Sequence, residues 1–145
     1  CPFCSTGAVV LTALEKKYGN KIKIACTHFP LPFHAQAKKA AEASMCAKEQ
    51  DVKYFWKMHD AMFADQSKLD KDSLIATAKQ AGVKEADFKA CLEAGKYKAN
   101  IESSVAEGTV LGIKSTPTFF INGKLISGAQ PIEAFSEVID EELAK

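Results

Sequence analysis

Two cysteines at the start of the chain are separated by two residues, in the order Cys1-Pro2-Phe3-Cys4. A C-x-x-C pair can form a reversible disulfide or supply half of a metal site. Apolar residues at helical spacing follow the pair as far as Gly19, which is a stop signal. Cys1 is therefore predicted at the N-cap of a helix, with Pro2 at the first helical position, where its missing N–H is no loss.

This predicted helix start favours a reactive thiol at Cys1. Backbone N–H groups without a helical partner and the positive end of the helix dipole would face its sulfur. Such surroundings lower a cysteine pKa from about 8.5 to between roughly 3.5 and 7.5, and the thiolate is the form that attacks. Cys4 lies one turn later on the same side and is expected to be more covered. That position suits a resolving thiol, which closes an intramolecular disulfide.

Zinc binding is the alternative use of the motif, with His28 and His34 as the remaining ligands. Pro2 and the helix that begins inside the motif are more typical of a redox-active C-x-x-C pair than of a metal-binding C-x-x-C loop. The two histidines also lie on a proline-rich, extended stretch that has no second C-x-x-C. The preferred prediction is therefore dithiol redox chemistry without a metal.

Length and composition indicate an ordinary globular protein. The 145 residues suffice for one domain with a core, and 47% of them are hydrophobic and 26% charged. A net charge of +1 argues against a nucleic-acid partner or a membrane surface held by charge. No apolar run approaches the roughly 18 residues that a membrane span requires, so no span is predicted.

The number of cysteines is odd. If Cys1 and Cys4 are the reactive pair, Cys46 and Cys91 are the natural second pair, and Cys26 is left alone as a buried apolar residue. A Cys46–Cys91 disulfide would indicate an oxidising compartment. In the chain-entropy model a loop of this size contributes about 4 kcal/mol to stability. Two thiols at these positions are the alternative.

Hydrophobic periodicity predicts a mixed order of elements. Residues 21–27 alternate between apolar and polar types and predict a strand. Five helices are predicted over a block of residues from about 34 to 111. Two strands, Thr118–Ile121 and Lys124–Ser127, are then predicted on either side of a type I′ turn at Asn122-Gly123, and an amphipathic helix follows.

One element that this order requires is missing from the sequence. A C-x-x-C helix of this type needs a strand directly before it, which aims Cys1 out of the sheet edge. Residues 1–145 offer no such strand. We expect it to come from residues upstream or, less favoured, from another chain.

The motifs together resemble the DsbA-like branch of the thioredoxin superfamily. They are Cys-Pro-x-Cys at a helix start, Thr116-Pro117 before a hairpin and a helical block in between, and the likeness covers essentially the whole chain. The resemblance implies an α/β thioredoxin fold with a multi-helix insertion between its βα and ββα halves. It further implies a single domain of residues 1–145, with the insertion at about 34–111.

The resemblance also implies roles for individual residues. Cys1 would be the exposed nucleophile and Cys4 the resolving cysteine. Thr116-Pro117 would be a cis-proline loop whose backbone pairs with an extended substrate beside Cys1. Pro2 and Phe3 complete the expected substrate-binding residues. Because Phe3 stands where the most oxidising members carry His, we expect a less depressed Cys1 pKa and a milder oxidant.

The sequence therefore predicts a protein thiol-disulfide oxidoreductase, most simply a dithiol oxidase for secreted proteins, with no cofactor beyond its cysteines. Its partners would be reduced or misoxidised proteins and a redox protein that resets the dithiol. Its expected location is the periplasm or another extracytoplasmic space of a bacterium, with a membrane tether upstream as a variant. The alternatives are a disulfide isomerase or reductase, a domain that only binds unfolded chains, and a metal-binding module at Cys1 and Cys4.

Overall fold

Seven α-helices and one two-stranded antiparallel sheet make up the computed structural model, which describes residues 1–145. In chain order the elements are α1 Pro2–Tyr18, α2 Ala37–Gln50, α3 Val52–Ala64, α4 Lys71–Ala81, α5 Glu85–Ala94, α6 Lys98–Val110, β1 Thr118–Ile121, β2 Lys124–Ser127 and α7 Ile132–Leu143. None of the helices combines the length and apolar character needed to cross a lipid bilayer. The chain divides into two compact units: the hairpin unit, Cys1–Thr27 with Gly112–Lys145, and the helical unit, His28–Leu111.

The hairpin unit has its own core, which α1, β2 and α7 supply. Its buried members are Leu14, Tyr18, Ile126, Phe135 and Ile139. Phe119 of β1 packs edge-on against Phe135 of α7, with 4.9 Å between the ring centroids. The strands pair in the register that the predicted turn requires, and both turn residues have positive φ, 49° at Asn122 and 88° at Gly123. The predicted hairpin is confirmed.

The helical unit consists of α2 to α6 around a second core. This core includes three large side chains that are fully buried, Met58, Leu74 and Phe88. Its helix ends follow local signals in the sequence. The side chain of Asp51 caps α3 and that of Asp70 caps α4, each by accepting a backbone N–H, and left-handed glycines end α4 and α5. The five predicted helices are all present.

The strand predicted at residues 21–27 is wrong. Lys21 belongs to a short 3-10 turn, and the only sheet in the structure is that of β1 and β2. The backbone at Ile22 is extended, with φ −121° and ψ 156°, and its side chain packs on the core of the hairpin unit. The alternating pattern therefore does produce an extended chain. A strand also needs a hydrogen-bonded neighbour, and residues 1–145 supply none for this segment.

One burial prediction also differs from the structure. Cys26 is exposed, because the contact of this segment with the core of the hairpin unit is made by Ile22. The buried positions of α2 are Glu42, Ala43, Ser44, Cys46 and Ala47. They do not form a single helical stripe, because α2 contacts α3, α4, α5 and α6.

Candidate dithiol site

The sulfur of Cys1 caps the first helix. Helix α1 begins at Pro2, and Cys1 Sγ accepts a hydrogen bond from the backbone N–H of Cys4 at 3.3 Å. The same Cys4 N–H also donates to the Cys1 carbonyl at 3.1 Å, and this carbonyl accepts the Ser5 N–H at 3.3 Å. The predicted N-cap is confirmed. The sulfur consequently lies at the positive end of the helix dipole, which favours a negative charge there.

A residue from the far end of the sequence contacts the same sulfur. The hydroxyl of Thr116 donates to Cys1 Sγ at 3.4 Å, and the Cys1 thiol donates to the Thr116 carbonyl at 3.6 Å. The Thr116–Pro117 peptide bond is cis. The structure thus brings together Cys1 and Thr116, which are 115 positions apart.

The loop that carries Thr116 is fixed at both ends. The hydroxyl of Thr118 donates to the Ser115 carbonyl at 2.7 Å. The backbone N–H of Gly128, just after β2, donates to the Pro117 carbonyl at 2.8 Å. The hairpin therefore positions the loop directly, because β1 starts at Thr118 and β2 ends next to Gly128.

Gly7 lets α1 approach this loop closely. It is buried, and a Cβ built on it would lie 3.2 Å from both Phe119 Cζ and Pro117 Cγ. Both separations are tighter than ordinary van der Waals contact, so a larger side chain would push the helix and the loop apart. Sequence reasoning missed this role. The available signal was a single glycine inside an otherwise regular helical pattern, which usually has a packing or functional reason.

Cys4 lies in a different environment from Cys1. It is only partly accessible, and burial raises the pKa of its thiol above the ordinary 9.0, while a hydrogen bond from Thr116 acts in the opposite direction. Cys4 is therefore a protonated thiol at neutral pH. Neither Cys1 nor Cys4 is in a disulfide, so the site is in its dithiol form.

The two residues between the cysteines lie on the surface. Pro2 is exposed, and Phe3 is 68% exposed, which makes it one of the most accessible apolar side chains of the protein. Phe3 has no polar atom in its side chain and cannot donate a hydrogen bond to the thiolate. An apolar ring at this position can, however, contact another polypeptide.

Cys46 and Cys91 are joined by a disulfide in the helical unit. The bond links α2 to α5, with 5.9 Å between the two Cα atoms and 45 positions between the residues. Cys46 is almost fully buried, at 2% exposure. Cys46 is thus covered by the core and Cys91 packs against it partly buried, whereas the sulfur of Cys1 faces polar hydrogen-bond partners.

The ligand set of the zinc alternative is not assembled. The structure contains no group of three or more His, Cys, Asp or Glu side chains placed to hold a metal ion. His28 instead interacts with Ser44, with 3.4 Å between Nε2 and the hydroxyl oxygen, and the His34 ring lies tilted against Phe33, with 4.6 Å between the ring centroids.

Comparison with known proteins defines the family. A family model described as Thioredoxin matches residues 1–141, and the chain belongs to that family. In structure it is similar to the thiol-disulfide exchange protein alpha-DsbA2 from Wolbachia pipientis, with a TM-score of 0.87 and 23% identity over 98% of this chain and 76% of that one. The predicted thioredoxin fold is confirmed, and the likeness to the Wolbachia protein is a likeness of fold.

Two relatives known by sequence differ greatly in length. The Na(+)/H(+) antiporter NhaA 3 of Salinispora tropica is 31% identical over 140 residues, which are 96% of this chain and 21% of the antiporter. The disulfide bond formation protein D of Bacillus subtilis is 23% identical over 154 residues, or 99% of this chain and 68% of that protein. The chain spans about a fifth of the length of the antiporters it matches.

Proposed function

We propose that the chain is a protein thiol-disulfide oxidoreductase, folded as a single DsbA-like domain of residues 1–145 with an insertion at about 34–111. Cys1 is the nucleophile and Cys4 is the resolving cysteine. The observation that carries the proposal is the position of Cys1 Sγ, which accepts hydrogen bonds from the Cys4 N–H and the Thr116 hydroxyl at a helix N-terminus. Both donors favour the thiolate over the thiol.

Oxidation of a substrate starts from the Cys1–Cys4 disulfide. A substrate thiolate attacks Cys1 Sγ, the Cys1–Cys4 bond breaks, and Cys4 leaves as a thiolate that takes up a proton. A second substrate thiolate then attacks the substrate sulfur of the mixed disulfide and expels Cys1 as a thiolate, which takes up the second proton or leaves it to the solvent. The substrate has lost two electrons and two protons, and the two enzyme sulfurs have gained the two electrons.

The Thr116 carbonyl has a separate part in substrate binding. In the dithiol it accepts the Cys1 S–H at 3.6 Å. In a mixed disulfide Cys1 has no proton to donate, so the carbonyl becomes available to an N–H of the substrate backbone. An extended substrate can therefore pair with Thr116 while its cysteine is bonded to Cys1, and the exposed Phe3 and Pro2 can contact its neighbouring side chains.

The different environments of the two sulfurs support net oxidation. Donors that stabilise the Cys1 thiolate stabilise the reduced enzyme, and a stabilised reduced form makes a disulfide a stronger oxidant. Phe3 adds no further donor, so we place the protein among the milder oxidants. Isomerase or reductase activity is the competing function, and the reduction potential separates them: about −120 mV marks a strong oxidant and about −270 mV a reductant.

Partners and location follow from the same chemistry. The substrates are reduced or misoxidised proteins, and a second redox protein must reoxidise the dithiol. An extracytoplasmic location is supported by the Cys46–Cys91 disulfide, since such bonds persist in oxidising compartments. The names of the Wolbachia and Bacillus relatives agree with this function. Other relatives are named as Na(+)/H(+) antiporters, but most of their length lies outside the match.

Single substitutions test the proposal. Cys1→Ser should abolish both insulin reduction and the oxidation of a dithiol peptide while the fold, measured by circular dichroism, is retained without added metal. Cys26→Ser, which changes an exposed cysteine of the same unit, is the matched control and should keep wild-type rates. Wild-type rates in Cys1→Ser would refute the proposal. Catalysis that is absent even in the wild-type protein would favour a domain that only binds unfolded chains.

A further inference from the structure

His28, the first residue of the helical unit, is a histidine that the proposed redox chemistry does not use. It lies partly covered at the start of the connecting segment 28–36, before α2 begins at Ala37. Its ring meets Phe55 of α3 edge-on, with 6.0 Å between the centroids, and its Nε2 is 3.4 Å from the Ser44 hydroxyl oxygen of α2. The ring therefore joins the connecting segment to two helices of the unit.

The hydrogen bonds around Ser44 fit a neutral imidazole. The Ser44 hydroxyl donates to the Ala41 carbonyl at 2.8 Å, which uses its one proton. The Ser44 oxygen then accepts from His28 Nε2–H, and Nδ1 is the nitrogen without a proton. A second proton would have to enter at Nδ1, on a ring held against Phe55.

Groups on both helices act on the charge of His28. Lys48 of α2 has its Nζ 5.9 Å from the Phe55 centroid, and His59 of α3 stacks on the same ring at 6.2 Å. The carboxylate next to His59, Asp60, lies 3.0 Å from His59 Nδ1. A charge on His28 would thus be partly removed from water, near Lys48 and without an ion-pair partner.

We propose that His28 is an acid-sensitive latch: its neutral ring holds the connecting segment 28–36 against α2 and α3, and protonation of the ring releases that segment. Burial, followed by the charges of Lys48 and His59, lowers the pKa of His28 from 6.5 to about 4. Because the folded value lies below the unfolded one, the latch is closed above pH 6.5 and weakens as the pH falls toward 4.

Amide hydrogen exchange measures the latch in the full chain. The amides of His34 and Ala37 donate to the carbonyls of Leu31 and His34, so they report opening of the connecting segment. Linkage between pKa values of 6.5 and about 4 predicts that their opening constant, corrected for intrinsic exchange, increases about 20-fold from pH 7 to pH 5. His28→Gln keeps a donor for Ser44 but cannot become charged, and should remove this increase.

His34→Gln is the matched control, because it removes a histidine of the same segment and should leave the acid-induced opening intact. An opening constant that is equal at pH 7 and pH 5 in the wild-type protein would overturn the latch. So would an unchanged 20-fold increase in His28→Gln. If that variant does not fold, the NMR titration of the His28 ring in the wild-type protein decides: a midpoint below pH 5 supports the latch, and one near 6.5 contradicts it.

Discussion

Cys1 of the hairpin unit and Cys46 of the helical unit have the same thiol chemistry but lie in opposite surroundings. Cys1 precedes the first turn of α1, where its sulfur faces an N–H and a hydroxyl. Cys46 lies inside α2, beside the fully buried Ala43 and Ala47, and is bonded to Cys91. We therefore expect a sulfur at a helix start, such as that of Cys1, to exchange disulfide partners, and a buried sulfur inside a helix, such as that of Cys46, to stabilise the fold.

Removal of the Cys46–Cys91 disulfide should have the largest effect on stability. The double variant Cys46→Ala, Cys91→Ala opens a loop with a sequence separation of 45 and should lose about 4 kcal/mol of unfolding free energy. Urea denaturation under non-reducing conditions measures this loss. The rate of disulfide exchange should stay near the wild-type value at temperatures where the variant is folded. A large loss of exchange in folded protein would contradict the separation of roles between the two pairs.

A larger side chain at Gly7 should disturb the dithiol site, because Gly7 lies against the loop that carries Pro117. Gly7→Val places methyl groups against Pro117 and Phe119 and should cost about 1–3 kcal/mol of stability, with slower exchange at Cys1. Thr6→Val introduces the same side chain at an exposed neighbouring position of α1 and is the control. Equal stability and equal exchange rates in the two variants would mean that the close approach of α1 to the proline loop is unimportant.

Loss of the Thr116 hydroxyl should change the redox balance and leave the fold intact. Thr116→Val removes a donor to Cys1 Sγ, which destabilises the reduced site. We expect the reduction potential to become more negative by about 30 mV, which corresponds to 1.4 kcal/mol for this couple. Equilibration with glutathione measures it, and Thr116→Ser should retain the wild-type potential. A potential that shifts as far in Thr116→Ser would assign the effect to the methyl group.

The smallest expected effect is a loss of folding stability at alkaline pH. Burial raises the pKa of Cys4 in the folded protein above 9.0, so its contribution to stability is present below that value and is lost as the pH rises through the folded pKa. The dithiol protein should therefore lose more stability between pH 8 and pH 10 than the Cys4→Ala variant. Parallel stability curves for the two proteins would show that Cys4 is not buried as described.

Local signals in the sequence were sufficient for much of the fold and of the site. The N-cap at Cys1 and the turn at Asn122-Gly123 each depend on a few adjacent residues, and both are observed. The proximity of Thr116 to Cys1 is a long-range contact, and it was predicted only through the resemblance to a known family.

The predictions that failed depend on neighbours that a local pattern does not contain. Residues 21–27 have the alternation of a strand but no partner strand to pair with, and Cys26 among them is exposed. The role of Gly7 arises from Pro117, which lies far away in sequence and close in space.

The most direct test of the central claim is to map where a mixed disulfide forms. The Cys4→Ser variant cannot resolve such an intermediate, so after treatment with oxidised glutathione it should carry one adduct, located at Cys1 by peptide mass spectrometry. That adduct should form much faster than any adduct at Cys26 in the same molecules. Modification of Cys26 at an equal or higher rate would contradict the claim that the start of α1 and Thr116 make Cys1 the reactive sulfur.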